Sequence, residues 1–185
     1  MTTSEWFTGN VMIFAWVPSG SSAFALLATF VWVFGKNLPQ STKGAKVTKM
    51  SAAAIEFYKN AFGAREEESM RMTTPDGKVA HCELWIGNAF FMLADESPRM
   101  NFRSPQSIGG SPVSLVLYVN DVDEIANRAV AAGAKLRQPV SDMFYGDRVG
   151  SIEDPFGHIW HISTHKEDLS SEEIKKRAAS YYNSQ

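Results

Sequence analysis

His81 and Glu83 stand two residues apart in the alternating run Val79–Ile86, VAHCELWI. In a strand, residues i and i+2 share a face about 7 Å apart. An imidazole and a carboxylate so placed can act as an acid–base pair or, with His161 from the last such run, as part of a metal site. They also suit an ordinary solvated strand face. Glu83 has a partner at a distance: a shift of 70 residues lays it on Glu153. Two carboxylates facing one cavity resist full charging together, which makes one a proton acceptor. In FYGDR (144–148), Tyr145 and Arg148 precede a second hairpin. The guanidinium can grip a carboxylate or phosphate through two bonds, or pair internally with Asp147 or Glu153. Trp85, Tyr118 and Phe91 suit either a ligand cavity or plain core. Cys82 shares a face with Leu84 and reads as an inert buried thiol. His165, beyond the last strand, is expected to be exposed.

The elements that position these groups repeat. SAAAIEFYKNAF (51–62) spaces Ala54, Ile55, Tyr58 and Phe62 as a helix does, and Gly63 ends it. DVDEIANRAVAA (121–132) does the same before Gly133. At an offset of 70, Ile55 meets Ile125, Gly63 meets Gly133 and Gly87 meets Gly157. One offset held through both helices and both final strands marks two copies of one unit. Each copy reads as strand, helix and three strands. Module one spans about 42–95, a Pro-, Gly- and Ser-rich linker 96–111, and module two 112–164. A helix at 170–182 opens on Ser170-x-x-Glu173. The chain is therefore expected to be α+β, two βαβββ modules forming a concave sheet around a cavity.

Length and composition exclude several functions. The 185 residues, 44% hydrophobic and 21% charged with net charge −2, make a globular chain with no basic face for nucleic acid. One cysteine excludes a disulfide framework. No charge occurs from Trp6 to Gly35, and Lys36, Lys43, Lys46 and Lys49 follow. Residues 1–40 thus form an apolar extension distinct from the domain at 41–185. It reads as a non-native or loosely attached segment, or as a membrane anchor if residues 6–35 span, with the globular part in the cytoplasm either way. A chain starting near Ser41 is expected to fold without it.

Together, AAAIEFYKNAFGA (52–64), PDGKVAHCELWIGN (75–88), FMLADESP (91–98), SPQSIGGSPVSLVLYVNDVD (104–123), FYGDR (144–148) and EDPFGHIWHISTHKEDLS (153–170) resemble the vicinal oxygen chelate superfamily. The type is that of glyoxalases and bleomycin-resistance proteins, and the subgroup the one called PhnB-like. The resemblance implies paired modules around a cavity, a homodimer, a small-molecule ligand, and a divalent metal held from the first and last strands of each module. Of the family's ligand positions, the last-strand one falls on His161, with Phe91 as its counterpart 70 residues earlier. The first-strand position falls on Ser114, with Gly44 as counterpart. Only His161 is a good ligand, so no cofactor is expected, although a divalent metal remains open. The first strand itself falls on Thr42–Met50, a poor one, and is either degraded or supplied by the N-terminal segment. The resemblance thus implies a binder of a small organic molecule lined by His81, Trp85, Ser114, Tyr118, Tyr145, Arg148 and His161. The alternatives are a metal-dependent lyase or isomerase with Glu83 or Glu153 as base, and a resistance-type protein that sequesters a drug.

Overall fold

The computed structural model describes residues 11–15, 32–35 and 50–184, the first two stretches as backbone. In chain order the elements are β1 (Val11–Ala15), β2 (Trp32–Gly35), α1 (Met50–Phe62), β3 (Arg65–Glu66), β4 (Met72–Thr73), β5 (Val79–Ile86), β6 (Ala89–Asp95), α2 (Pro105–Ile108), β7 (Val113–Tyr118), α3 (Val122–Ala131), β8 (Lys135–Asp142), β9 (Asp147–Glu153), β10 (Ile159–His165) and α4 (Ser171–Asn183). They build two sheets, β1-β7-β10-β9-β8 and β2-β6-β5-β3, with β4 also pairing β5. The expected α+β class and doubled strand–helix–three-strand plan are present. In each sheet the strand leading into the helix lies parallel to the module's last strand, β2 against β6 and β7 against β10.

The helices follow from their sequences. Asp121 caps α3 by accepting the Glu124 amide at 3.0 Å. Gly63 (φ +66°) and Gly133 (φ +107°) end α1 and α3 in the left-handed region. The apolar faces of both helices close over one side of the sheets in a single core. There Ile55, Tyr58, Leu84, Leu93, Leu117 and Trp160 are fully buried. Tyr58 stacks on Phe62, and Phe62 meets Trp160 at 4.8 Å between ring centroids. Each such ring contributes about 1.5–3 kcal/mol through removal from water.

Two expectations need correction, and for the first strand of module one the alternative of an N-terminal strand is the one seen. The run Glu66–Thr73, which reads as one strand, is broken by a 3-10 turn at Glu68–Met70 into β3 and β4. Met50 opens α1, and residues 42–49 lie outside the described part, while the strand parallel to β6 is Trp32–Gly35. Lastly, the offset of 70 does not survive into the final strands. Two residues, Gly87 and Asn88, join β5 to β6, where Ile86 pairs with Ala89; five residues separate Glu153 from Ile159. The extra length turns the strand over. Phe91 packs in the core against Tyr58 and Trp160, whereas His161 points the other way. Phe91 is therefore the counterpart of a core position and not of His161.

The apolar N-terminal stretch enters both sheets, β1 antiparallel to β7 and β2 parallel to β6. A chain starting near Ser41 lacks both strands and leaves the β6 and β7 edges unpaired, which invites edge-to-edge association. The expected result is loss of soluble, monodisperse protein relative to the full chain, read by sedimentation. Equal behaviour of the two chains would show the strands to be dispensable.

Candidate functional site

Strand alternation places each candidate. On β5, Cys82, Leu84 and Ile86 are buried against the helices, and His81, Glu83 and Trp85 face the opposite, open side. On sheet one, Leu115, Leu117, Ile152, Trp160 and Ile162 fill the core. Their neighbours Ser114, Val116, Tyr118, Ser151, Glu153, Ile159, His161 and Ser163 therefore share the side of that sheet away from the helices, where Val116, Ser151 and Ser163 are themselves buried.

His161 pairs with Val116 on one flank and Ser151 on the other. The flanking residues carry no charge, and burial pushes the imidazole below its ordinary value, which favours the neutral ring at pH 7. Toward the end of β10 the face becomes ionic. Tyr118 donates its hydroxyl to Asp147 at 2.7 Å. Burial first, then the Asp147 carboxylate, push that phenol well up. His165 is not exposed as expected. It is the last residue of β10, lies 2.8 Å from Asp147 through Nδ1 and 3.1 Å from Asp168 through Nε2, and has only 23% of its side chain exposed.

On sheet two, His81 Nε2 lies 3.2 Å from Glu83 Oε1, a contact that an acid–base pair and an ordinary hydrogen-bonded strand face share. Trp85 packs against Phe90 at 5.2 Å, with the Arg65 guanidinium over its ring. Met92 is Glu83's cross-strand neighbour. Cys82 sits under this face, its thiol pushed up to about 12 by burial and by a hydrogen bond to Glu66. It is inert as a nucleophile.

Other candidates part company. Glu153 accepts from Arg137 at 2.8 Å, on a different sheet from Glu83, which is held by His81. Arg148 points to the helix side. It grips Asp123 of α3 through Nε and a terminal nitrogen at 2.7 and 2.8 Å, and Asp142 at 3.1 Å. Neither Asp147 nor Glu153 is its partner, because α3 packs over β9 and brings Asp123 within reach. Tyr145 is half-buried in the loop before β9, edge-on to Phe144. A groove of about 600 Å³ between α1 and α3, lined by Phe57, Asn60, Arg128 and Phe156, contains none of the sequence candidates.

The donor set does not fit a resident divalent ion. His161 and Ser114 supply one imidazole and one hydroxyl from module two. The open side of β6 offers Phe90, Met92 and Ala94, and β2 reads Trp-Val-Phe-Gly. Among the described residues no three His, Cys, Asp or Glu side chains are arranged to hold a metal ion. A first-row metal needs about three such ligands.

Sequence reasoning missed Asp154. Its buried carboxylate accepts from the Tyr58 hydroxyl at 2.8 Å, the Trp160 indole at 3.0 Å, and the Phe156 and His158 amides at 2.9 Å each. In sequence it reads only as the start of a turn, Asp-Pro-Phe-Gly. Among the described residues, no helix is long and apolar enough to cross a membrane.

Comparison with known proteins agrees with this architecture. The family model described as Glyoxalase/Bleomycin resistance protein/Dioxygenase superfamily matches residues 45–162. An uncharacterized protein of Mycobacterium bovis is 39% identical over 133 residues, 70% of this chain and 86% of that one. A protein of Arabidopsis thaliana is 30% identical over 125 residues, 64% of this chain and 74% of its own. Among solved structures, the fosfomycin resistance protein FosX of Listeria monocytogenes superposes with a TM-score of 0.51 at 17% identity, covering 83% of this chain and 98% of that one. A protein of Pseudomonas aeruginosa reaches 0.51 at 18% identity, covering 76% and 100%. These two likenesses show the fold. Doubled module, sheet order and family match lead to one assignment: the chain belongs to the glyoxalase/bleomycin-resistance/dioxygenase, or vicinal oxygen chelate, superfamily.

Proposed function

We propose that the chain is a PhnB-like member of its superfamily that binds a small, uncharged, oxygen-bearing organic molecule on the open face around His161. It would act as a homodimer, with the family's metal position degenerate. One observation carries this reading: a half-buried neutral imidazole set among Ser114, Ser151 and Ser163, with apolar Val116 and Ile159 beside it. A neutral ring can donate through one nitrogen and accept through the other, which suits hydroxyl and carbonyl groups and disfavours cations. Burial strengthens such bonds and penalises a ligand that leaves them unmade.

A second reading keeps the metal. A FosX variant is solved in complex with Mn(II). In this chain the His81–Glu83 contact would supply the proton transfer of a lyase or isomerase, with Glu153 as the other possible base. The names of these relatives also keep a drug-sequestering role in view.

One experiment separates these readings. Zinc is titrated into the purified protein at pH 7 by calorimetry, and a library of neutral diols and hydroxyketones is screened by ligand-observed NMR, each on wild type and His161→Ala. The expected result is zinc binding weaker than micromolar, with library hits weakened roughly tenfold or more by the substitution, the equivalent of one lost buried hydrogen bond. Micromolar or tighter zinc binding abolished by His161→Ala would replace the binder by the metal enzyme. Hits indifferent to His161 would move the site elsewhere.

A further inference from the structure

The cluster at the far end of β10 is not used by this binding reading. Asp147, 7% exposed at its side chain, accepts from Tyr118 and faces His165 Nδ1; Asp168, 69% exposed, faces Nε2 of the same ring. Asp168 lies two residues before Ser170, whose hydroxyl caps α4 by accepting the Glu173 amide at 3.2 Å. The chain between His165 and Asp168 is laid over the loop before β9: the Lys166 and Glu167 amides both donate to the Gly146 carbonyl, at 2.9 and 3.0 Å. At its other end α4 rests Tyr181 on Phe144, 5.2 Å between centroids. No residue of α4 is buried. The helix is thus attached through a few contacts, Arg177 to Glu167 at 3.1 Å among them, and His165 meets the segment leading into it through Asp168.

We propose that His165 is a pH-sensitive latch for the C-terminal helix: the imidazolium bridges Asp147 and Asp168, and loss of one proton releases Asp168 and loosens residues 166–176. Two carboxylates can both be satisfied only by a ring carrying hydrogen on both nitrogens. When one proton leaves, the remaining N–H stays with the carboxylate that can least afford to lose it. That is Asp147, because it is buried and water cannot replace the bond. Asp168 then faces a lone pair and turns to solvent. The groups bearing on the ring are Asp147 of β9, Asp168 of its own segment, and Tyr118 of β7, which acts through Asp147. Tyr145 of the loop also lies near Asp147, and its phenol is pushed up by burial and by that carboxylate. The hydrogen bond to Asp147, opposed by partial burial and aided by Asp168, holds the ring above the ordinary histidine value. Release is therefore expected as pH rises through a value above the ordinary histidine one, and not in acid.

The test is amide hydrogen exchange of the full chain from pH 5.5 to 9, corrected for intrinsic rates, with the His165 ring followed by NMR. Segment 166–176 is expected to exchange roughly two- to fivefold faster once His165 has lost its proton, the size of one half-exposed ion pair. Asp168→Asn, a surface change that leaves the Asp147 bond, is expected to show the faster exchange already at pH 5.5 and no further pH dependence. Segment exchange independent of pH in wild type, or equally pH-dependent in Asp168→Asn, overturns the latch. So does a ring that titrates at or below the ordinary value.

Discussion

Asp154→Ala is expected to cost about 3–5 kcal/mol of stability, the largest effect of any single substitution outside the apolar core. Four donors converge on this buried carboxylate: two backbone amides that close the turn into β10, the Trp160 indole, and the Tyr58 hydroxyl from α1 of the other module. Alanine leaves all four without an acceptor in a place that water reaches poorly. The modules lose a bond between residues 96 positions apart in sequence. Two milder variants apportion the effect. Asp154→Asn keeps one oxygen for the turn amides but offers NH₂ to Tyr58 and Trp160, so about half the loss is expected. Tyr58→Phe removes one donor and is expected to cost about 1 kcal/mol. Urea denaturation of the three proteins checks the series. A loss below about 1 kcal/mol for alanine would show the turn to be held by other means.

Acid should weaken the fold through Glu66. Burial alone would raise this carboxyl, but hydrogen bonds from Arg71 outweigh that, and Lys59 at 2.9 Å and the Cys82 thiol add to them, holding it at about 2 against an ordinary 4.5. Since the folded-state value is the lower, the stabilisation is complete above about pH 4.5 and is lost as pH falls toward 2. Its size is at most about 3 kcal/mol, reduced toward 2 by water around the partly exposed Arg71 and Lys59. Glu66→Gln is expected to cost about 2–4 kcal/mol at pH 7, where Arg71 and Lys59 lose their counter-charge, and almost nothing near pH 2. Denaturant midpoints of both proteins at pH 7, 4, 3 and 2 check this. Parallel curves would assign the acid sensitivity to other carboxylates.

The contrast between what the sequence discloses and what it hides is physical. VAHCELWI alternates from His81 onward, so the two faces of β5 are readable there, and with them the His81–Glu83 contact. α1 and α3 end at glycines in left-handed conformation, so their ends are readable too. The first strand is hidden because Trp32–Gly35 lies in a uniformly apolar run without periodicity. The partner of Arg148 is hidden because α3 carries it, 25 positions upstream. The last-strand correspondence fails for a subtler reason. Gly87 and Gly157 match at an offset of 70, yet one belongs to a two-residue turn and the other to a five-residue one. An odd change in loop length exchanges the faces of everything after it.

The β1–β7 pairing has a consequence for biosynthesis. Val11 leaves the ribosome long before Leu117, its partner, with about a hundred residues synthesised between them. At roughly 5–20 residues per second, an uncharged strand waits on the order of 5–20 s for the edge that receives it. Meanwhile its backbone groups are open to any other strand. Faster elongation through the first module is therefore expected to raise soluble yield by shortening that exposure.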